Sequence, residues 1–469
     1  DETVAPANIG TKDGDDGNVY GKLLRSKVNK SYYDPSKLYV PWVGTNGARM
    51  PNASPTCAWH NPMRTTNTTE AYCRNLTANG TRVFGGKASS WRYCTAPNSK
   101  NCGTPGVSGL QYYPATYWWF TGTSDNDAWQ NANYQKVEIK SGVDSYTGHG
   151  RGAARTDCTI VNGNATCNYD QEIQNFANWY TYYRSRALLA RAGVGEAFAD
   201  QQDDIRVGFA TLNKGSTSVD GVDTASIVTG VRKFTAEVKA DFLTRLYSAS
   251  TVGGTPLRLA LNRVGKYYQR DDELGPWSAT PGKDSDIADV ACRASYTMLM
   301  TDGYWSGGSE NVPSEIGNQD NEAGSEITND ISGGSPAKYT YSPTNLFKDG
   351  HSDMLADVAM KYWKTDLRQD LDNKVKPNAV DPAFWQHMTT YTIGLGVVGK
   401  LPAFDIPEAI KNGTAKTWPA VNASSDTDER KIDDLIHAAV NGHGDFFSGQ
   451  EPDVFSEGMA GLLGNINAR

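Results

Sequence analysis

Six of the seven cysteines fall within the first 167 residues, and this asymmetry limits the folds open to the chain more than any other feature. Cys57, Cys73, Cys94, Cys102, Cys158 and Cys167 stand among Asn, Thr and Gly, while Cys292 is left over. Cys158 and Cys167 flank Asn162-Gly163 symmetrically. A two-residue turn at Asn-Gly sets two such cysteines opposite each other at a non-hydrogen-bonded pair, where side chains lie closest, and that geometry suits a disulfide. Cys94 with Cys102 would close a second short loop and Cys57 with Cys73 a third, although spacing does not fix connectivity. The alternative is a zinc site, but no C-x2-C pair exists. Disulfides imply an oxidising compartment. Cys292 reads either as buried and inert or as paired in a way that the sequence does not reveal.

The texture changes near residue 168. Residues 1–168 are rich in Asn, Thr, Gly, Tyr and Trp, with turn signals at Asn46-Gly47 and Asn79-Gly80, and they read as short strands and long loops. From residue 169 helices and strands alternate. Ile173, Phe176, Tyr180, Tyr183, Ala187, Ala190 and Val194 recur at three- and four-residue steps and predict one amphipathic helix. Ile205–Leu212 reads as a buried strand, 241–247 as a helix, and Gly253-Gly254-Thr255-Pro256 as the opening of another helix. Strands are expected at Tyr296–Met300 and Thr389–Val398, and helices at Leu355–Tyr362 and Asp433–Val440. Residues 303 to about 350 are polar and Gly/Ser-rich, an insertion rather than core. This alternation predicts a parallel sheet covered on both faces.

With 469 residues, 38% of them hydrophobic, the chain can bury a core of two or three domains, or one core with large insertions. No run approaches 18 apolar residues, so no membrane-spanning helix is expected. A net charge of −8 without a Lys/Arg cluster argues against nucleic acid as a partner. Asp1 begins no charged-then-apolar leader, so any signal peptide is expected to be already removed or omitted.

Open parallel sheets bind ligands at the carboxyl ends of their strands. Thr255, opening a helix, and Asp302, just past a strand, stand there in the predicted fold. Their hydroxyl and carboxylate are hard donors suited to Mg²⁺ or Ca²⁺. The plainer reading makes Thr255 a helix N-cap with Pro256 in the first turn, and Asp302 a turn residue before Gly303. Gly394–Gly399 spells G-x-G-x-x-G followed by Lys400, but Leu401 occupies the position of the metal-binding hydroxyl, so phosphate binding is not expected. No G-x-S-x-G and no H-E-x-x-H occurs, and no enzyme chemistry is assigned. Tyr112, Tyr113, Tyr117, Trp118, Trp119 and Phe120 form the densest aromatic cluster; exposed it would stack on sugars, but core is the favoured reading. The sequons at Asn67 and Asn75 reflect composition.

Six stretches carry a resemblance: Asn175–Arg184, Gly253–Leu257, Cys292–Trp305, Leu355–Trp363, Phe384–Met388 and Leu435–Gly442. In this order, over about residues 170–450, they resemble the N-terminal region of PilY-type type IV pilus proteins, with weaker extension to Ser31–Pro35 and Pro114–Phe120. The resemblance implies a von Willebrand factor A-like (Rossmann-like) α/β fold, a mostly parallel sheet flanked by helices. It divides the chain into a loop- and strand-rich, disulfide-containing module at 1–168, the A-like domain at 169–455 with the insertion at about 303–350, and a tail or helix at 456–469. It further implies a protein exported through the periplasm and outer membrane to the pilus tip. There it would seat on minor pilins, attach to host or abiotic surfaces, and support pilus biogenesis and twitching motility. Rival readings are a non-adhesive structural cap that primes assembly, and a secreted hydrolase. Within the family Thr255 and Asp302 fall on two ligand positions of a metal-ion-dependent adhesion site. The D-x-S-x-S ligands of that site occur nowhere in the 469 residues; the resemblance places them on a strand upstream of the stretch matching Asp1 onward. A C-terminal β-propeller with its own calcium site is also without a counterpart here, so calcium-regulated retraction is not assigned.

Overall fold

The computed structural model describes residues 24–69, 71–83 and 109–449, apart from 125, 126, 129, 252, 284–287, 309, 310, 423, 426 and 427, together with 458, 461, 463 and 464. The expected Cys94–Cys102 loop and most of the 456–469 tail lie outside the described residues. The chain divides into two compact units, Asp1–Glu196 and Ala197–Arg469.

In the first unit short strands pair as local antiparallel hairpins. β1 (Ala58–Trp59) pairs with β2 (Cys73–Arg74), β3 (Gly80–Val83) with β4 (Gly109–Tyr112), β5 (Thr116–Phe120) with β6 (Tyr134–Glu138), and β7 (Thr159–Val161) with β8 (Asn164–Thr166). Asn162 and Gly163 both take positive φ (51° and 79°), the conformation a two-residue hairpin turn requires. The register that pairs Thr159 with Thr166 then brings the next residues out, Cys158 and Cys167, into the expected disulfide, and Cys57–Cys73 closes β1 on β2. In the aromatic cluster Tyr113 and Tyr117 are buried, whereas Trp118, Trp119 and Phe120 are half-buried and Trp119 stacks on His149 at 5.1 Å.

Helix α1 (Tyr169–Tyr182) opens with a reciprocal cap between Asn168 and Gln171. The single helix expected through Val194 is interrupted: α1 stops at Tyr182 and α2 (Arg186–Ala199) starts afresh. Arg184 folds back onto the Tyr180 carbonyl, and Ser185 Oγ accepts from Leu188 N at 3.3 Å as a new N-terminal cap. Residues 31–53 contain no strand, and where their own turns leave backbone groups unpaired the partners come from elsewhere. Side chains of α1 supply them. Asn175 accepts from Tyr39 N at 2.7 Å and donates to Lys37 O at 2.8 Å; Asn178 accepts from Ala53 N and donates to Tyr39 O, both at 2.9 Å. One turn earlier Glu172, wholly buried, accepts from Tyr33 Oη at 2.9 Å, Arg151 Nη2 at 2.5 Å and Arg155 Nη1 at 2.9 Å.

In the second unit β9 (Arg206–Ala210) pairs antiparallel with β12 (Ile227–Lys233), and β10 (Thr217–Val219) with β11 (Val222–Thr224). The buried strand expected at Ile205–Leu212 is instead this β9, whose residues alternate between exposed and half-buried because it has one paired neighbour. Then follow α3 (Ala236–Ser248), α4 (Leu257–Tyr268), β13 (Tyr296–Thr301), the small β14 (Ile327–Thr328)/β15 (Lys338–Tyr339) hairpin inside the polar insertion, and α5 (Leu355–Lys364). The chain continues with β16 (Thr389–Leu395), α6 (Ile406–Asn412), α7 (Arg430–Asn441) and β17 (His443–Gly449). β13, β16 and β17 form a parallel sheet of three strands, so the expected mostly parallel sheet is present in part. Central β16 is buried along its whole length, with a strand on each side. It ends at Leu395 rather than Val398, where Gly396 turns to φ 66°.

Leu261 of α4, Leu355 and Val358 of α5, Leu435 and Ala438 of α7, and Leu299 of β13 share one core. A second cluster joins Ile436 and Val440 of α7 to Ile406 and Trp418. The α4–α5 crossing depends on Gly265, where a Cβ would stand 2.3 Å from the Tyr362 ring. Cys292 is an exposed free thiol, which corrects its buried reading.

Removing one partner of a buried ion cluster leaves uncompensated charge, at a cost of about 3–5 kcal/mol. Glu172→Gln is therefore expected to lower the unfolding free energy of the first unit by that much, and its denaturant midpoint with it, while leaving both described disulfides formed; chemical denaturation with thiol counting checks it.

Candidate functional site

The sequence-predicted residues stand at the carboxyl end of β13. Asp302 follows that strand directly and is exposed; Thr255, half-buried, precedes α4. Leu257 is the first helical residue and Pro256 takes the cap position, so Thr255 is not the N-cap of its plainer reading. The two loops are stitched together through Ser306: Thr255 N donates to Ser306 Oγ at 2.8 Å, and Ser306 N donates back to Thr255 O at 2.9 Å. Below them Trp305 is buried between cations, with Arg258 at 4.1 Å and Lys431 Nζ at 4.3 Å from the ring. Its indole N–H donates to Asp434 Oδ2 at 2.9 Å. Asp434 also accepts from Leu355 N and Ala356 N, both at 3.1 Å, placing a carboxylate at the N-terminus of α5. Thr255 and Asp302 thus lie on neighbouring loops held by a rigid base. Their oxygens are the donors a hard cation takes, but they make up only two of the roughly six that Mg²⁺ requires.

The Gly394–Gly399 loop is filled from within. Asp433 Oδ2 accepts from Lys400 N and Oδ1 from Leu401 N, each at 3.0 Å, and a Cβ at Gly399 would meet that carboxylate at 2.0 Å. The amides that would cradle a phosphate already bind an anion.

Two further constellations lie deeper. Asp320, Asp349 and His437 each offer one donor atom within 4.8 Å of the other two, and among the described residues they are the one such group of three. His437 Nε2 stands 2.5 Å from Phe347 O and 3.6 Å from Asp320 Oδ2, and its Nδ1 lies 3.7 Å from Asp349 Oδ2. The second constellation is Asp381, His387 and Thr389, at the opposite end of β16 from Leu395. Asp381 Oδ2 accepts from His387 Nε2 and from Thr389 Oγ1, each at 2.9 Å.

No family model and no solved structure matches the chain. Among curated proteins it is 34% identical over 322 residues to the type IV pilus biogenesis factor PilY1 of Pseudomonas aeruginosa strain PAO1. The PilY1 proteins of strains PAK and UCBPP-PA14 match at 33% and 32% over 319 and 321 residues. Over that stretch the chain is similar to PilY-type proteins. The matches cover 63–64% of this chain and 26% of each relative, so it spans about a quarter of the length of the curated relatives it matches.

Neither deep constellation was singled out in the sequence; Asp320, Asp349 and His437 converge from three separate segments. The Asp381 set resembles a nucleophile–base–acid arrangement yet is built otherwise. All three side chains are buried, Thr389 donates to Asp381 rather than to the imidazole, and His387 faces acceptors at both ring nitrogens, Trp385 O at 2.7 Å and Asp381. A ring donating on both sides is no general base. Burial opposes the charge of Asp381, but His387, His443 and the Trp363 indole N–H outweigh it and hold the carboxyl well below the usual range. A depressed carboxyl contributes stability above its unfolded pKa of about 4 and loses it as pH falls toward the folded value. Asp381→Asn should therefore be about 3–5 kcal/mol less stable at pH 7 and show a shallower loss than the parent between pH 4 and 2. Thermal melts across that range read both effects.

Proposed function

We propose that this chain is the N-terminal part of a type IV pilus adhesin and biogenesis factor, displayed at the pilus tip and supporting surface attachment and twitching motility. The observation that carries this reading is the 34% identity over 322 residues to a protein named as a type IV pilus biogenesis factor. The two described disulfides favour an oxidising, exported setting. Among the described residues no helix is long and apolar enough to cross a membrane, and nothing there conflicts with release to the cell exterior. The three-stranded parallel sheet with helices packed on it, and the β9/β12 hairpin beside the same core, favour an A-type domain in the second unit. In that reading Thr255 and Asp302 contribute a hydroxyl and a carboxylate to a Mg²⁺- or Ca²⁺-dependent adhesion site. Minor pilins are the partners on the pilus side, and a host or abiotic surface is the partner on the other.

The alternative, a non-adhesive cap that primes assembly, separates from this in one experiment. Exchanging Asp1–Glu196 for the matching part of a relative, inside the full-length protein, should change attachment to surfaces and leave the number of pili unchanged. Loss of pili with attachment per pilus preserved would favour the cap. For the cation, Mg²⁺ is expected to raise the melting temperature of the chain and Asp302→Ala to remove that rise, as differential scanning fluorimetry will read.

A further inference from the structure

The loop that carries His149 lies over the β5/β6 hairpin of the first unit in a conformation that its side chain has to hold. Gly148, His149 and Gly150 take positive φ in succession, at 67°, 52° and 79°. The two glycines do this freely, whereas a histidine there is strained and stays only where its surroundings fix it. Tyr117 and Trp119 share one face of β5, and Gln135 stands opposite Trp119 in the register with β6. His149 uses all three. Its ring stacks on the Trp119 indole at 5.1 Å and 21° and meets Tyr117 edge-on at 6.0 Å. Nδ1 lies 3.0 Å from Tyr117 Oη, and Nε2 lies 3.0 Å from Gln135 Oε1. A Cβ at Gly150 would stand 3.6 Å from the same indole, so the loop lies flat against it.

The neighbours decide where the proton of the ring sits. Arg151 Nη2 donates to Tyr117 Oη at 2.8 Å, and burial keeps that phenol protonated, so the phenol hydrogen is the one that points at Nδ1. The single imidazole proton then belongs on Nε2, where Gln135 Oε1 accepts it. Every bond is complete with a neutral ring. A second proton, on Nδ1, would meet the phenol hydrogen head-on and add a cation beside Arg151. The charged groups facing the ring are that guanidinium, from its own loop, and Glu172 from α1. β5 presents Tyr117, and on β6 Lys136, next to Gln135, pairs with Glu138 at 2.6 Å. Glu172 is already bonded to Arg151 and Arg155 and does not offset the added charge. Burial first, and the Arg151 cation second, therefore hold the imidazole below its ordinary range. A base depressed in this way favours the closed loop fully above about pH 6.5 and loses that contribution as pH falls below it.

We propose that His149 is a pH-released latch: neutral, it closes its loop over Trp119, and on taking a second proton it leaves the indole and bares an aromatic face on β5. Arg151 N and Nη1 both donate to Gly148 O, so the loop turns about a fixed end rather than detaching. What emerges is one face of a tryptophan flanked by the Gln135 amide, a surface that changes with the acidity of the medium. The latch is built from residues of the first unit and depends neither on the pilus reading nor on the Thr255 and Asp302 loops.

The test uses the whole chain and reads Trp119 directly, by hydroxyl-radical footprinting with mass spectrometry at about pH 7.5 and about pH 5, on either side of an ordinary imidazole. Oxidation of Trp119 should rise severalfold at the lower pH, while the buried Trp42 stays protected at both. His149→Asn keeps a side chain that tolerates positive φ but neither stacks nor titrates in this range, and it should give the high value at both pH values. Gln135→Glu, at an exposed position, offers the imidazolium an anionic acceptor and should keep Trp119 protected at about pH 5. Equal oxidation of Trp119 at the two pH values in the parent would overturn the proposal. So would a pH response unchanged in His149→Asn or in Gln135→Glu, or a rise shared by Trp42, which would mark general unfolding.

Discussion

A carboxylate withdrawn from water persists only when donors surround it, and the first unit is arranged around one such group. Glu172 receives Tyr33 Oη, Arg151 through two of its nitrogens, and Arg155. Arg155 in turn holds Asp157 and the Pro35 carbonyl. Two guanidinium groups and two carboxylates balance, so the cluster is neutral as a whole while each member is costly alone. Its contributors come from 33–35, from 151–157 and from α1. No extended ladder joins these stretches, and a cluster of this kind specifies their arrangement where backbone pairing does not.

The second unit solves the same problem with α7. Successive polar residues on its buried side each serve a different loop: Asp433 binds the 400–401 turn, Asp434 the start of α5 and Trp305, His437 the Phe347 carbonyl, and Asn441 the Asp320 carboxylate. The helix is apolar enough to sit between two clusters, through Leu435 and Ala438 on one side and Ile436 and Val440 on another. Irregular, Gly- and Ser-rich segments are thereby held against a regular element by side chain to backbone bonds, not by strands.

What the sequence made legible follows from which forces are local. Turn chemistry at Asn162-Gly163 foretold a hairpin and its disulfide, since both depend on residues within ten positions. Periodicity located α4, α5 and α7 within a few residues. It failed at Tyr183–Ser185, where apolar spacing continues through a break enforced by Arg184 turning back on Tyr180. It also failed at β9, where an apolar run belongs to a strand with one neighbour instead of two. Thr255 and Asp302 were singled out because each sits beside its own strand or helix boundary. The acidic and imidazole groups around α7 were not, because residues 320, 349 and 437 meet only through the tertiary fold.

The described disulfides also set how far the first unit lengthens when pulled from its ends. Cys57–Cys73 and Cys158–Cys167 span 16 and 9 residues, with Cα atoms 5.0 and 4.7 Å apart. At about 3.5 Å per extended residue they hide roughly 80 Å of contour length that force cannot release without a reductant. The ties between distant segments, at Glu172, Asn175 and Asn178, are all noncovalent and yield first. Under tension the described part of the unit would open with these two loops still sealed, and its extension would report directly whether both bridges are intact.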